Sequence, residues 1–542
     1  MRSGNEVIEL IDGPQAFVEM VRAIKTATTQ DHFIYLLGWW LTDSFALLPG
    51  NSASTIDALL WNTGWITFQM GTGPTVTEAN QRVKVAFPAN SKDDPVQRFF
   101  GIPAFGAGCK SRYKLRVDFD VEVDYDLDTW PSSNGVRINR GQVVNTGVQV
   151  RAMLYDQPMT QNSAEVDHIN ALPNGAAILD SRHLNLGSHH QKVLIVNGSD
   201  GLIAFCGGID INSDRLYQKG VGSNRNGDTE GAPFHDVHCR IKGPAAWDLL
   251  QIFVERWQDH PNHAALDTQK GQLRGTSMGI PQSIAGQTNW VQIGRTYGNG
   301  TRHGGIGRGG YQFAPNGEQT ARQMFLHAIA QARKFIYIED QYLVNYEAME
   351  ELIAALPNIQ HLTVLIPHGS ITLMGSPDGR AVRNQVNFRR REFIARLRRM
   401  GGEKVRVFYL VAQPMNQIKG LHTYVHSKTW IFDDQFAIIG SANCNRRSWT
   451  HDSEVVAGIY DQGDGTKLRF PHWLRMRLWA EHLNLDVSRD ASRLTDGVAS
   501  AALWLAGRRP AGARIATYDE NRDIESSPSQ ADWDTIIDPD GS

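Results

Sequence analysis

Two His-x-Lys pairs are the residues of this chain whose types and spacing best suit chemistry. His190 and Lys192 form one pair, and His426 and Lys428 form the other. Side chains two residues apart on a strand face the same way, so each pair presents an imidazole beside an ammonium group. Together they suit a phosphate ester, because lysines attract nonbridging oxygens while one histidine attacks phosphorus and the other protonates the leaving alcohol. A single pair is common on solvated strands, so this interpretation depends on both.

The two pairs have repeated surroundings, which indicates two copies of one α/β unit. The first copy has four landmarks: Phe33-Ile34-Tyr35, His190-Gln191-Lys192, Gly207-Gly208 and a strand-like run from Asp236. The second copy has their equivalents: Phe335-Ile336-Tyr337, His426-Ser427-Lys428, Gly440-Ser441 and a run from Glu454. The shared order predicts an α/β fold of two pseudo-symmetric repeats, each a mixed β-sheet flanked by helices, with one active site between them. The Gly-Gly and Gly-Ser turns are structural positions in this scheme.

The spacing of the landmarks locates the insertions and boundaries. The separation from Phe-Ile-Tyr to His-x-Lys is 157 residues in the first copy (33 to 190) and 91 in the second (335 to 426). About 66 extra residues therefore lie in the first copy. The predicted units are an N-terminal repeat over 1–262 with an insertion at about 44–140, a linker over 263–287, a C-terminal repeat over 288–500, and an acidic surface tail over 501–542.

Four further polar residues complete the candidate site. A nucleophilic histidine must be neutral and needs a partner for its other ring nitrogen, and Asp236 and Glu454 are the candidates. Their alternative role is to cap a turn at a strand entrance. Asn443 is predicted to donate its amide to a phosphate oxygen. Asp210, its counterpart in the first repeat, only accepts hydrogen bonds when ionised, so Asn212 is the substitute.

Composition limits the classes of partner and cofactor. Lys and Arg total 54 against 57 Asp and Glu, and a net charge of −3 gives no chain-wide attraction to nucleic acid or anionic lipid. No apolar run reaches the ~18–20 residues of a membrane span, and the first residues lack the pattern of a secretory signal. The expected location is the cytoplasm, or outside the cell by a leaderless route, as for an effector. No carboxylates cluster at the spacing of a hard-metal site and no CxxC pair occurs, so no metal or other cofactor is expected.

The segments HQKVLIVN (190–197) and HSKTWIFD (426–433) resemble the duplicated H-x-K-x-x-x-x-D motif of the phospholipase D superfamily. The resemblance runs from about residue 14 to 485 and is greatest to plant-type members. The chain resembles their catalytic core, in a bacterial-like form expected to lack an N-terminal lipid-targeting domain. The other segments that carry the resemblance are HDVHCRIKGPAAWDLL, FIYIEDQYL, YVHSKTWIFDDQFAIIGSANCNRRSWTHDSE and LRMRLWAEHL.

This resemblance implies a two-step displacement on a glycerophospholipid such as phosphatidylcholine or phosphatidylethanolamine at a membrane interface. His190 is expected to become a phosphohistidine while His426 protonates the departing headgroup. Water or another alcohol then releases phosphatidic acid or an exchanged lipid. No metal is implied, because Lys192, Lys428 and Asn443 supply the positive and hydrogen-bonding groups. A monomer without stable nucleic-acid binding is expected.

The first motif departs from the family at its last position, where Asn197 replaces the aspartate that Asp433 provides in the second motif. Both positions lie seven residues after the motif histidine, and an odd separation on a strand faces the opposite side. Asn197 is therefore predicted to be structural and the enzyme to be active. The alternatives are a non-catalytic lipid-binding relative with a degenerate first half, a nuclease of the same superfamily, and a phosphatidyltransferase.

Two patterns bear on contact with a membrane. Residues 383–400 hold seven arginines and one glutamate with apolar residues at helical spacing. The outer face of an α/β helix is the favoured interpretation, and docking to anionic lipid headgroups is the alternative. Trp61, Trp65 and Trp130 in the insertion could lie at a bilayer interface.

Overall fold

The computed structural model describes the whole chain apart from residues 50, 52–53, 57–58, 61–65, 70–74, 80–81, 87–109, 116–120, 127–135, 139–141, 145–146, 157–161, 173, 217–232, 304–309, 370–376, 412–421 and 522–532. It describes only the backbone of the strands between residues 66 and 144 and of residues 377–381 and 535–536. The helices are α1 (Asp12–Thr26), α2 (Asn162–Ala171), α3 (Pro244–Asp259), α4 (His263–Lys270), α5 (Gly300–His303), α6 (Thr320–Gln331), α7 (Tyr346–Ala355), α8 (Pro377–Gly401), α9 (Arg446–Thr450), α10 (Phe470–Leu483), α11 (Ala491–Leu494) and α12 (Gly497–Ser500).

The first repeat is built on a seven-stranded mixed sheet, as far as its described residues go. Its order across the sheet is β11–β10–β2–β12–β13–β15–β1, with β10 parallel to both neighbours and the other pairs antiparallel. The seven strands are β1 (Arg2–Ile11), β2 (Phe33–Gly38), β10 (Gln149–Tyr155), β11 (Gly175–Asp180), β12 (Val193–Gly198), β13 (Gly201–Gly207) and β15 (Val237–Lys242). The short strand β14 (Phe234–His235) lies outside this order.

The second repeat has the same topology, which confirms the predicted fold class. Its order is β20–β19–β18–β22–β23–β24–β16, with β19 parallel to both neighbours, and β25 is added beside β20. The strands are β16 (Asn289–Tyr297), β17 (Glu318–Gln319), β18 (Phe335–Asp340), β19 (His361–Leu365), β20 (Val405–Val411), β21 (His422–Val425), β22 (Lys428–Phe432), β23 (Phe436–Gly440), β24 (Glu454–Asp461) and β25 (Ile515–Thr517).

The register of the central strands is also the same in the two repeats. Tyr35 of β2 lies opposite Ile195 of β12, and Tyr337 of β18 lies opposite Ile431 of β22. Each isoleucine is five residues after its motif histidine, so the duplication extends to single residue positions. The tyrosines and isoleucines are buried because these strands are covered on both faces.

Helices at the sheet faces bury the apolar stripes that their sequences predict. In α1, Phe17, Met20, Val21 and Ile24 are buried at helical spacing. Asn345 caps α7 by accepting hydrogen bonds from two backbone amides of its first turn. The sheets meet where β1 pairs with β16 and where β14 pairs with β21, so each repeat continues into the other.

The insertion contributes two small antiparallel sheets. One contains β5 (Arg82–Ala86), β4 (Thr75–Ala79), β3 (Ile66–Gln69) and β9 (Gln142–Val144), and the other contains β6 (Lys110–Leu115), β7 (Val121–Asp126) and β8 (Val136–Ile138). Trp61, Trp65 and Trp130 lie outside the described residues.

Parts of the predicted linker and tail are built into the fold. Residues 263–287 contain α4, whose Asp267 accepts a hydrogen bond from the indole of Trp257. Residues 501–542 contain β25 and a π-helical turn at Trp533–Ile537, and Trp533 is buried. The structure therefore buries part of the predicted surface tail, including Trp533 and Asp538.

Candidate active site

Each motif histidine is anchored by the backbone of the opposite repeat. The amide of His190 donates to the carbonyl of Ser453 at 2.9 Å, and the amide of His426 donates to the carbonyl of His235 at 2.8 Å. Ser453 and His235 directly precede the acids Glu454 and Asp236. The two His-x-Lys pairs are thereby brought to the interface between the repeats.

The histidine side chains are paired with carboxylates in the same crosswise manner. Nδ1 of His190 lies 3.0 Å from both carboxylate oxygens of Glu454. Nδ1 of His426 lies 2.6 Å from Oδ2 of Asp236. Each repeat thus supplies the carboxylate for the histidine of the other, and both Nε2 atoms remain for chemistry. The sequence predicted these four residues but not which acid serves which histidine.

Burial and positive charge lower the pKa of both imidazoles. The pKa of His190 lies well below its usual value, first through burial and then through the ammonium groups of Lys192 and Lys428. Burial followed by Lys428, Arg215, Lys192 and His190 lowers the pKa of His426 in the same direction. Each histidine therefore feels the lysine of the other repeat, and a neutral imidazole is the form a nucleophile requires.

The carboxylates are shifted in the opposite direction. Burial raises the pKa of Asp236 to about 6. Burial, with a contribution from the neighbouring Asp452, raises the pKa of Glu454 to about 8. Burial also lowers the pKa of Lys428 to about 7, with Lys192 acting in the same direction against the favourable charge of Asp236. The site concentrates groups that titrate near neutral pH, as catalytic sites do.

The Gly-Gly and Gly-Ser turns contact these carboxylates. A Cβ at Gly208 would lie 2.0 Å from Oδ1 of Asp236, so only glycine fits there. At the equivalent position, the hydroxyl of Ser441 donates to Oε2 of Glu454 and accepts from the amide of Val455 at 3.0 Å. Gly207 and Gly440 end the strands β13 and β23. The residues at these turns therefore determine the space around the carboxylates of Asp236 and Glu454.

The lysines have different partners in the two repeats. Lys192 lies 3.3 Å from Asp210 and 5.7 Å from the centre of the Trp39 ring. Lys428 donates to Oε1 of Gln341 at 2.8 Å. Trp39 and Gln341 occupy equivalent positions, four residues after Tyr35 and Tyr337. Both were missed by sequence reasoning, although their place directly after the repeated Phe-Ile-Tyr strands marked them.

A cavity of about 630 Å³ opens beside His190. Its wall combines residues of both repeats with the C-terminal segment, and the polar lining includes Asn443 and Arg447. The C-terminal segment contributes Trp533, Ile537 and Asp538, and the first repeat contributes Trp39. Asp538 is fixed by the backbone amide of Arg447 at 2.7 Å. No pattern in the sequence predicted C-terminal residues in the wall of this cavity.

The remaining predicted residues lie in different places. Asn443 lines the cavity, and its side-chain oxygen has no hydrogen-bond partner among the described residues. Asn212 is buried outside the cavity wall, with its oxygen accepting from the amide of Asp214 at 3.2 Å. Asp433 accepts hydrogen bonds from three successive backbone amides at the start of β18. Asn197 pairs with Phe33 at the equivalent strand position.

The arginine-rich helix α8 contributes to packing beside the site. Arg390 is fully buried and donates to the backbone carbonyls of Gln341 and Tyr342. Phe393, Ile394 and Leu397 are buried in the core of the second repeat. At least part of the basic run therefore has a structural role.

Potential metal ligands cluster away from the cavity wall. In the described part of the chain, the sets close enough to share an ion are His235, Glu339 and His482, and Asp12, His235 and Glu481. No helix in the described ranges combines the length and the apolar composition that crossing a membrane requires.

Two family models match the chain. One, described as "Phospholipase D", covers residues 170–349, and the other, described as "Cardiolipin synthase, PLD-like domain", covers residues 325–469. They contain His190 and His426 respectively. A phosphatidylserine synthase of Haemophilus influenzae aligns structurally over 84% of this chain and 82% of its own, at 12% identity and a TM-score of 0.46.

Plant phospholipases D are similar in sequence. Phospholipase D alpha 2 of rice is 25% identical over 413 residues, which cover 57% of this chain and 50% of the rice protein. Phospholipase D alpha 1 of Arabidopsis thaliana is 26% identical over 419 residues, covering 58% and 51%. The chain spans about half the length of these relatives. Since family models match both motif-bearing halves and plant relatives align with the chain, it belongs to the phospholipase D superfamily.

Proposed function

We propose that the protein is a phospholipase D that hydrolyses glycerophospholipids such as phosphatidylcholine and phosphatidylethanolamine to phosphatidic acid and a free headgroup. The observation that carries this proposal is the crosswise pairing of His190 with Glu454 and of His426 with Asp236. It supplies two oriented imidazoles beside two buried ammonium groups, as a two-step phosphoryl transfer requires.

In the first step, Nε2 of His190 attacks phosphorus and the bond from phosphorus to the headgroup oxygen breaks. The proton on Nε2 of His426 passes to that oxygen, so a neutral alcohol leaves and a phosphohistidine remains. In the second step, water attacks phosphorus, its proton returns to His426, and the bond to His190 breaks. Lys192 and Lys428 stabilise the charge on the nonbridging oxygens in both steps.

Substrate binding helps His426 to act as an acid. In the free protein burial and, after it, nearby cations that include both lysines lower the pKa of this imidazole. The negative charge of a bound phosphodiester offsets those ammonium groups, so the pKa of His426 rises when substrate is present. His426 is thus protonated when substrate is bound and the leaving group requires a proton.

The cavity supports a lipid with a cationic headgroup. Its lining has three carboxylates, Asp156, Asp452 and Asp538, against one guanidinium, that of Arg447. This excess opposes a nucleic-acid backbone, which needs a basic groove. Apolar residues share the wall, and Leu186 at the cavity is 54% exposed. Such a lining suits a zwitterionic lipid better than a polynucleotide.

Transfer of the phosphatidyl group is the second candidate. The family model over residues 325–469 is described by the name of a synthase. An alcohol in place of water in the second step would give an exchanged lipid without any further catalytic group. Hydrolysis and transfer thus differ only in the acceptor.

One assay tests these proposals together. The purified protein is incubated with EDTA and vesicles of phosphatidylcholine or phosphatidylethanolamine, with and without ethanol, and in parallel with plasmid DNA. We expect free headgroup and phosphatidic acid from the vesicles, phosphatidylethanol when ethanol is present, and none of these from His190→Ala. The plasmid should stay intact.

Nicking of the plasmid without headgroup release would reject the lipid assignment. Phosphatidylethanol without phosphatidic acid would replace the hydrolase by the transferase. Lipid binding without any product would favour the non-catalytic alternative that Asn197 raises.

A further inference from the structure

Four buried ionisable side chains form a hydrogen-bonded chain directly behind His426, and the chemistry above does not use them. Nδ1 of His235 lies 2.9 Å from Asp12, and Nε2 lies 3.0 Å from Glu339. His482 donates to the other oxygen of Glu339 at 2.9 Å. None of the four side chains is more than 3% exposed. We call these residues, Asp12, His235, Glu339 and His482, the buried network.

Asp12 holds both backbone groups of Asp236. The amide of Asp12 donates to the carbonyl of Asp236 at 2.8 Å, and Oδ1 of Asp12 accepts from the amide of Asp236 at 3.0 Å. Asp12 itself has a φ of 64°, in the left-handed region that non-glycine residues seldom adopt. Such strain persists where the surroundings over-determine it, and it concentrates at functional sites.

His235 connects Asp236 to the second repeat. Its carbonyl accepts from the amide of His426, and its ring joins Asp12 to Glu339 of β18. Burial opposes a charge on this ring, but Glu339 and Asp12 outweigh burial and hold the pKa of His235 well above its usual value. The ring of His235, which is hydrogen-bonded to a carboxylate through each of its nitrogens, therefore ties the two repeats together next to the Asp236–His426 pair.

The first repeat lacks this arrangement. The position of Glu339 is taken by Leu37, since both lie opposite the residue three after the motif histidine. The position of His235 is taken by Ser453, which likewise precedes the acid and accepts from a histidine amide. The same fold forms around His190 with Leu37 and Ser453 in place of Glu339 and His235, so these two residues are not a requirement of the fold.

We propose that Asp12 and His235 are positioning residues: the buried network fixes Asp236, and through it orients His426 as the proton donor to the leaving headgroup. This inference rests on the proposed function, because it assigns roles around the same site. It concerns one proton transfer and leaves attack by His190 untouched.

The decisive variant is Asp12→Asn, which keeps the shape of the side chain at a φ that asparagine tolerates. Phosphatidyl-p-nitrophenol serves as a second substrate, because p-nitrophenolate leaves without a proton. We expect kcat on phosphatidylcholine to fall about 10–100-fold, as for supporting residues around reactive groups, with KM within about twofold. The rate of the first-turnover burst of p-nitrophenolate should stay within about threefold of the wild-type rate.

Asp434→Asn is the matched control. Asp434 also has a positive φ, 58°, and holds buried Arg475 through two hydrogen bonds away from the cavity. The Asp434→Asn protein should be less stable than wild type. The ratio of its kcat on phosphatidylcholine to its burst rate on phosphatidyl-p-nitrophenol should be the same as in wild type. Equal losses on both substrates for Asp12→Asn, or the same substrate pattern in Asp434→Asn, would overturn the inference. If Asp12→Asn does not fold, His235→Gln is measured in its place, with the same expected pattern.

A second readout does not need activity. The proton between His426 and Asp236, whose atoms are 2.6 Å apart, should give a far-downfield ¹H resonance that His426→Ala removes. We expect Asp12→Asn to shift or broaden it and Asp434→Asn to leave it unchanged. If the wild-type protein cleaves no phosphodiester, the proposed function fails, and this resonance alone decides the inference. An unaltered resonance in Asp12→Asn rejects it.

Discussion

His190 and His426 lie at equivalent positions of the two repeats and are held by different neighbours. The His190 side chain is 15% exposed and lines the cavity, whereas that of His426 is 6% exposed and is not among the residues that line it. Glu454, which serves His190, is held by the hydroxyl of Ser441. The carboxylate of Asp236, which serves His426, accepts from the amide of Val237, and the backbone amide of Asp236 donates to the carboxylate of Asp12.

The lysines show the same divergence. Lys192 has a carboxylate partner, Asp210, whereas Lys428 has the neutral amide of Gln341. One duplicated unit has thus been kept as a scaffold while its polar positions changed separately. The more accessible histidine suits attack on phosphorus, and the more rigidly held one suits proton transfer.

The largest expected effect distinguishes the roles of the two histidines by comparing two substrates with different leaving groups. His190→Ala should lower turnover of phosphatidylcholine and of phosphatidyl-p-nitrophenol by at least about 10⁴-fold, because the nucleophile is lost for both. His426→Ala should match it on phosphatidylcholine but still release a burst of p-nitrophenolate, since that group leaves without a proton. Stopped-flow absorbance measures the burst. A burst from His190→Ala and none from His426→Ala would exchange the two roles.

Substitution of the lysine partners tests the difference between the charged partner of Lys192 and the neutral partner of Lys428. Asp210→Asn leaves the buried ammonium of Lys192 without its counter-charge, and we expect a loss of about 3 kcal/mol in the free energy of unfolding. Gln341→Ala removes a neutral acceptor from Lys428 and should cost about 1 kcal/mol. Urea denaturation of both variants measures the two values. Equal losses would show that the lysines are held alike.

The fold and half of the site follow from the sequence for one reason: the repeat is visible in short motifs. Order and spacing of the landmarks gave the two sheets, and the observed register of Tyr35 with Ile195 matches that of Tyr337 with Ile431. The repeated runs also predicted Asp236 and Glu454 as the acids that partner the histidines, without assigning either acid to one histidine.

The crosswise pairing could not be predicted, because Asp236 and Glu454 stand at equivalent positions and either assignment keeps the symmetry. Glu454 lies 264 residues from His190, and no local pattern encodes so distant a contact. For a similar reason, the part that C-terminal residues take in the cavity wall could not be predicted. The segment around Trp533 is short and acidic, which is typical of a surface tail, and its partners, Arg446 and Arg447, are distant in sequence.

The low pKa of Lys428 predicts an alkaline limit to activity. An ammonium group must keep its proton to attract phosphate, so kcat/KM should fall about tenfold per pH unit above pH 7, where Lys428 of the free protein loses its charge. Lys428→Arg should show a lower but flat profile, since a guanidinium stays charged. The profile is measured from pH 5 to 9 by headgroup release.

An alkaline limb that persists in Lys428→Arg would assign the titration to another group. Glu454, whose pKa burial raises to about 8, is the next candidate, and Glu454→Gln would then remove the limb. The acid side has a different cause. Both histidines have pKa values lowered by burial, so protonation of His190 should limit attack only well below pH 6.5.

The smallest expected effect concerns Asn197, the position at which the first motif departs from the second. In the second repeat Asp433 accepts three backbone amides, those of Arg333, Lys334 and Phe335, and contacts none of the groups that act on phosphate. Asn197→Asp should therefore leave kcat within about twofold and raise the free energy of unfolding by about 0.5 kcal/mol, as a better cap of the amides before Phe33.

Asp433→Asn is the reciprocal change and should lower stability by about 1 kcal/mol with kcat again unchanged, because an amide accepts fewer hydrogen bonds than a carboxylate. Headgroup release and urea denaturation of both variants give the four values. A more than tenfold gain in kcat for Asn197→Asp would mean that this position acts on the chemistry. The first repeat would then be impaired at its motif, and the comparison of the two histidines would describe partial loss of function rather than a division of roles.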